Sequence, residues 1–109
     1  MPSLYRNLLF PLLTLAEPEI SHDFALRALS VAAVIAPLLH ARLGVDDPRL
    51  HVSAFGLNFA NPVGLSAGFD KNAVAVRGIA ALGFGHVDIG TVTPRPQPGR
   101  PKPRLFRVK

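Results

Sequence analysis

Asn61-Pro62-Val63-Gly64-Leu65-Ser66-Ala67-Gly68-Phe69-Asp70-Lys71-Asn72 opens a stretch that passes through a short helical run and closes with Gly83-Phe84-Gly85-His86-Val87-Asp88-Ile89-Gly90-Thr91-Val92-Thr93. Val63 to Ala67 is an unbroken run of small and apolar residues, the pattern of a strand buried on both faces. Ala73 to Leu82 predicts a helix, with Val76, Ile79, Ala80 and Leu82 available to a sheet and Gly83 as its C-cap. His86 to Val92 is the next strand. Strand, loop, helix and strand in this order form a parallel βαβ unit, which is right-handed almost without exception. Both strand C-termini then open on one side, where ligands of parallel sheets sit. Gly68, Lys71, Gly90 and Thr91 are expected to converge there.

The residue types at that place suit a flat or anionic ligand. Glycines at strand ends let a ring or a backbone come close. Lys71 is the sole basic residue between Arg49 and Arg77, so it is not part of a charged surface pattern. Thr91 brings a hydroxyl. Asp70 either orients Lys71 or caps the helix, and residue types alone equally allow Asp70 as a cap only and Lys71 as a plain surface residue. The stretch is neither a G-x-x-x-x-G-K-[ST] phosphate loop nor a G-x-G-x-x-G dinucleotide fingerprint. Gly78, inside the helical run, costs about 1 kcal/mol against Ala and marks a close approach.

Towards the N-terminus the pattern is different. Leu4 to Ala16 places Leu4, Leu8, Leu9, Leu12, Leu13 and Leu15 at helical spacing, with Pro11 kinking or splitting the helix. Glu17-Pro18-Glu19 is a helix start. The second helix is predicted from Pro18 or Glu19 to Leu43, bent or broken at Pro37 and stopped by Gly44. On periodicity the first helix reads as a core helix of a globular domain over one that meets lipid or an apolar ligand; the middle of the second is apolar nearly all round, which favours a docking surface or membrane contact for the pair. His22 and His40 are helix-face residues, since neither has a second His or a carboxylate at metal spacing, and no metal site is expected.

Asp46-Asp47-Pro48 marks the boundary between two segments, 1–45 and 46–109. Beyond it Leu50, Val52, Ala54, Leu57 and Phe59 predict two short strands with Phe55-Gly56 at the turn. The tail from Thr93 to Arg104 has five prolines between Pro94 and Pro103 and is neither helix nor central strand. Leu105 to Val108 looks like the start of another strand.

Composition sets bounds on all of this. The chain has 109 residues, 49% of them hydrophobic, no cysteine and a formal net charge of +5. That is one domain at most, long enough for a core and not a disordered chain. Without cysteine there is no disulfide framework and no thiolate metal site. Residues 1–90 hold six Lys or Arg against seven Asp or Glu, whereas residues 91–109 hold six Lys or Arg and no acid. The high pI therefore belongs to the tail. A solvated or interface loop is favoured there over nucleic-acid binding, because Phe106 is the only aromatic for stacking and the prolines deny a recognition helix. The longest run without a charge or His in the first half is Ala28 to Leu39, short of the ~20 residues of a membrane span, so no segment is expected to cross a bilayer. There is no signal-peptide pattern at the start.

The run from Asn61 to Lys71, Gly83-Phe84-Gly85, Ile89 to Gly99, and Lys102-Pro103-Arg104-Leu105-Phe106-Arg107 together closely resemble the amino-terminal part of the quinone-dependent, membrane-associated class of dihydroorotate dehydrogenase. Pro18-Glu19 and Ser21-His22-Asp23 resemble the helical extension of that class. The resemblance covers nearly the whole chain. It departs only slightly at Ser66, where alanine is common.

This resemblance implies an α/β fold: an N-terminal helical hairpin (1–45, the membrane and quinone segment) followed by the first strands and helix of an incomplete (β/α)8 barrel. It implies FMN as cofactor, held by Ala67, Gly68, Phe69, Asp70, Lys71 and Thr91, with Lys71 also facing the substrate carboxylate. Dihydroorotate would be oxidised to orotate in pyrimidine synthesis and the electrons passed to a membrane quinone at a site containing Leu13, His22 and Arg107. The enzyme would lie peripherally on the cytoplasmic face of a bacterial inner membrane. A whole barrel needs ~200 residues or more, so the chain would be a fragment, inactive alone, with its general-base serine beyond Lys109. A different reading is a non-enzymatic membrane-surface module with a basic interaction tail.

Overall fold

A computed structural model describes residues 4–108. It forms two compact units. One takes in the chain up to Ala25 together with the stretch from Thr93 onward; the other is Leu26–Val92. They divide the chain differently from the segments 1–45 and 46–109, because the tail packs with the first helices.

In the first unit a π-helical turn, Tyr5–Leu9, runs into helix α1, Phe10–Leu15. The wide turn has a local cause. In an α-helix the ring of Pro11 would press on the carbonyl four residues back and leave it without a donor, and a π turn relieves both problems. Helix α2, Pro18–Ala32, starts in this unit with Glu19 in its first turn. Ser21 Oγ donates to the Leu13 carbonyl at 2.9 Å, tying the two helices at their junction. The expected strand at Leu105 to Val108 does not form. No strand runs beside it among the described residues, and the segment instead sends Arg107 to the end of α1.

The second unit begins partway along α2. A 3-10 turn, Ala33–Ile35, separates α2 from helix α3, Ala36–Leu43, which carries Pro37 in its first turn. Ile35, at φ −104° and ψ 19°, takes up the break. Pro37 thus breaks the helix just ahead of itself, as a proline ring requires. Gly44 ends α3 in an extended conformation, its N–H bonded to the His40 carbonyl.

The helical run Pro18–Leu43 has 26 residues and is long and apolar enough to cross a membrane by length and composition. This corrects the expectation that no segment could. Counting uncharged residues stopped at Arg27 and His40, whereas the helix carries on past both, at 1.5 Å per residue.

Asp47 caps a 3-10 turn, Pro48–Leu50, and its carboxylate takes the Arg49 guanidinium as a fork. Strands β1, Val52–Ala54, and β2, Leu57–Phe59, pair antiparallel with Ala54 opposite Leu57. Phe55 and Gly56 both have positive φ (54° and 75°), as a two-residue type I′ hairpin demands. Strand β3, Gly64–Leu65, pairs in parallel with β4, His86–Val87. Helix α4, Val76–Ala80, lies between them in sequence.

The βαβ order is as expected, but each element is shorter than its pattern. Helix α4 starts late because Ala73 sits at φ 57° and because Val74 and Ala75 give their N–H groups to the Asp70 side chain. Strand β4 ends early; three residues on, Gly90 lies against the main chain of Lys71.

The core of this unit is small. Ala75, Ile79 and Ala81 are its buried apolar residues, and Ile79 is fully enclosed, worth about 1.5–3 kcal/mol. A Cβ on Gly78 would fall 1.9 Å from the Leu29 carbonyl oxygen, so α4 packs directly on the backbone of α2. Buried Asn61 ties the rest together. Its Nδ2 donates to the Gly83 carbonyl at 2.9 Å, and its Oδ1 accepts from Val63 N–H at 3.0 Å. Gly85 fits over the Asn61 carbonyl where a side chain would not. His86 is seated in the same way over Gly64, with its ring edge-on to Phe59 at 5.7 Å.

Candidate functional site

Two groups of side chains answer to the site expected from sequence, one in each unit. The first lies at the C-terminal ends of β3 and β4. After Leu65 the chain turns twice: Phe69 N–H bonds to the Ser66 carbonyl, and Ala73 N–H bonds to the Asp70 carbonyl. The Asp70 side chain is wholly buried; Oδ1 accepts from Val74 N–H at 2.9 Å and Oδ2 from Ala75 N–H at 2.8 Å. Of the two roles open to Asp70, it takes the one nearer to capping: it holds the N–H groups of Val74 and Ala75 just ahead of α4. This fixed turn carries Lys71 at its rim, with its side chain exposed.

From the other strand end, Gly90 comes in against Lys71. A Cβ there would lie 2.5 Å from the Lys71 carbonyl oxygen and 2.9 Å from its Cα. Exposed Thr91 follows directly. Gly68 is exposed, and a Cβ added to it would meet nothing within 4 Å. Ala67 and Phe69, both half-buried, flank it. The structure therefore brings Lys71, Gly90 and Thr91 together beside the turn holding Ala67, Gly68 and Phe69. The main chain at Gly68 is open, and the side chains of Lys71 and Thr91 are both exposed.

The second group is at the junction of α1 and α2. Arg107 Nη2 donates to the Leu13 carbonyl at 2.6 Å and to Ser21 Oγ at 3.4 Å. Its Nη1 donates to the carbonyls of Thr14 (3.0 Å) and Ala16 (2.8 Å). Three orphan carbonyls at the end of a helix are thus satisfied by one guanidinium, whose planar fork suits the task better than a lysine. Leu13 is 38% exposed, and His22, next to Ser21, is half-buried. Arg107 meets Leu13 through its carbonyl, and His22 follows Ser21 in the chain.

Glu19 belongs to the same junction. Its Oε1 accepts from Arg104 Nη2 at 2.8 Å and Nε at 3.1 Å, and pairs with Lys102 Nζ at 3.1 Å. The hydrogen bonds from Arg104 hold its carboxyl below the ordinary Glu range; burial opposes this, and Lys102 adds to it. Sequence reasoning marked Glu19 as a helix start and placed it, Lys102 and Arg104 in the family resemblance, but did not pair them. It also missed Asn61 as the staple of the strand ends. The sole signal for Asn61 was its place ahead of Pro62; for the pair of Glu19 and Arg104, 85 residues apart, there was none.

A parallel βαβ unit with glycines, a lysine and a threonine at its strand ends defines an α/β protein of the kind that binds ligands at that edge. The dihydroorotate dehydrogenase family profile matches residues 49–109. A dihydroorotate dehydrogenase (quinone) of Roseiflexus sp. is 54% identical over 111 residues, covering 99% of this chain and 30% of its own length. The enzyme of the same name from Pseudomonas putida is 55% identical over 108 residues, again covering 99% and 30%. Among solved structures, the dihydroorotate dehydrogenase of Eimeria tenella in complex with ferulenol superposes with a TM-score of 0.68 at 44% identity, over 84% of this chain and 23% of that one. The chain belongs to the dihydroorotate dehydrogenase family, and it spans about 30% of the length of the curated relatives it matches.

Proposed function

We propose that this chain is part of a quinone-linked dihydroorotate dehydrogenase, a flavoenzyme of de novo pyrimidine (UMP) biosynthesis. The reading rests on one observation above others: similarity above 50% to enzymes of that name runs along nearly the whole chain, through both the strand-end site and the helical junction.

FMN, when bound, supplies the two-electron acceptor that takes hydride from dihydroorotate and passes the electrons on to quinone. The residues at the strand ends suit it. The exposed edge at Ala67 and Gly68, with open space above Gly68, admits a flat ring. Asp70 keeps the turn rigid from beneath, and Phe69 flanks it. Lys71 would set a cation beside the ring, which gains negative charge on reduction, and would face the substrate carboxylate. Thr91 offers its hydroxyl from the neighbouring strand end. The general base, a serine by family pattern, is not among these residues. The remaining strands of a (β/α)8 barrel would complete the site, so the 109 residues alone turn nothing over.

Segment 1–45 serves the quinone and the membrane. Exposed Leu12, Leu15, Ile20, Phe24, Val31 and Val34 are more apolar surface than a soluble domain leaves bare. Helix α2 also has a protein neighbour, since Gly78 sits on the Leu29 carbonyl. That supports peripheral attachment at a bilayer surface rather than a span surrounded by lipid; by the family resemblance that surface would be the cytoplasmic face. Leu13, His22 and Arg107 lie at the head of the apolar pair, where a quinone ring would enter.

The test is made on the full-length protein that carries this segment. Purified protein should hold FMN and form orotate from dihydroorotate only when a quinone is supplied. Orotate formation with NAD or fumarate in place of quinone would overturn the reading.

A further inference from the structure

The tail is built to hold the two apolar helices. Glu19, in the first turn of α2, has a side chain only 12% exposed. One of its oxygens takes both Arg104 and Lys102; the other, Oε2, is buried with no hydrogen-bond partner among the described residues. Arg104 does more than pair with it. While Nε and Nη2 grip Glu19, Nη1 donates to the carbonyls of Pro98 (2.8 Å) and Arg100 (3.2 Å). One guanidinium thus folds the proline-rich turn and fastens it to the start of α2. Three residues later, Arg107 grips the end of α1. The tail therefore holds α1 at its C-terminus and α2 at its N-terminus, on either side of the short link between them. An exposed ion pair contributes little. Glu19 differs because it is mostly enclosed, and losing a partner strands a desolvated charge.

We propose that Glu19 and Arg104 are positioning residues for the quinone: they set the disposition of α1 and α2, and through it the affinity for quinone, without touching quinone, flavin or dihydroorotate. This rests on the quinone reading above.

The experiment uses full-length enzyme with its flavin, in steady state with a short-chain quinone and in anaerobic single turnover with dihydroorotate. Glu19→Gln and Arg104→Ala should each raise the quinone KM about tenfold, and leave kcat, the dihydroorotate KM and the rate of flavin bleaching within about twofold. Arg104→Lys keeps the charge but not the fork, and should recover only part of the loss; it also serves where Arg104→Ala does not yield folded enzyme. A merely structural role would lower the bleaching rate and the quinone reaction together. That result, or an unchanged quinone KM in folded variants, overturns the proposal. A parent enzyme that bleaches with dihydroorotate but ignores quinone would remove the quinone reading and this proposal with it.

Discussion

Gly90 lies flat against the main chain of Lys71, so close that a Cβ at position 90 would sit 2.5 Å from the Lys71 carbonyl oxygen. The contact joins the two strand ends and sets where the ammonium begins its reach. Gly90→Ala must push the Lys71 turn aside, at a cost of about 1–3 kcal/mol. The expected outcome in full-length protein is a lower urea midpoint and a fall in FMN retained after gel filtration. Unchanged flavin content would mean that the Lys71 turn does not shape the flavin floor.

Asp70 anchors that turn from below. Asp70→Ala leaves the N–H groups of Val74 and Ala75 unpaired, and only that of Ala75 is buried; the buried one costs about 1–3 kcal/mol. Asp70→Asn keeps one acceptor but sets an amide NH2 against the other N–H, and should fall between wild type and Ala. Urea denaturation of the three proteins checks the order.

Gly78 rests on the Leu29 carbonyl. Alanine is the better helix former by about 1 kcal/mol, so propensity alone favours Gly78→Ala. The clash is with backbone, which cannot rotate away, and overpacking of this kind costs about 1–3 kcal/mol. A net loss of thermal stability is expected. A gain would show that α2 and α4 are less closely packed.

The charge on Glu19 gives a pH dependence whose sign is fixed. Its carboxyl is held below the ordinary range, chiefly by Arg104. The stability it adds is therefore complete above the unfolded-state value of about 4.3 and is lost as pH falls through the lower folded-state value. Carboxyl-carbon NMR should show Glu19 titrating at lower pH than a free Glu. In Glu19→Gln protein the acid-side loss of stability should shrink. A Glu19 midpoint at or above the free value would contradict the clamp.

Much of the βαβ unit was legible because its signals are local. The apolar run before Gly68, the cap at Gly83 and the Phe55-Gly56 turn all specify backbone shape within a few residues. The strand-end site followed from topology, since parallel strands with a crossover bring Lys71 and Thr91 to one edge. What escaped depends on distant partners. Nothing near Glu19 says that Arg104 will reach it, and nothing near Leu105 says that no strand will pair with it. The helix from Pro18 to Leu43 and its break before Pro37 were expected, but that it is long and apolar enough to cross a membrane was not, because single charges interrupt a count of apolar residues without interrupting a helix.

The most direct test of the central claim, that Lys71 and the strand ends form the flavin-ring floor of a dihydroorotate dehydrogenase, is the anaerobic bleaching of flavin in the full-length enzyme by dihydroorotate, with and without Lys71→Ala. Wild-type enzyme should bleach stoichiometrically, and the variant should bleach at least about a hundredfold more slowly. Equal rates in the two proteins, or no bleaching of the wild type, would contradict it.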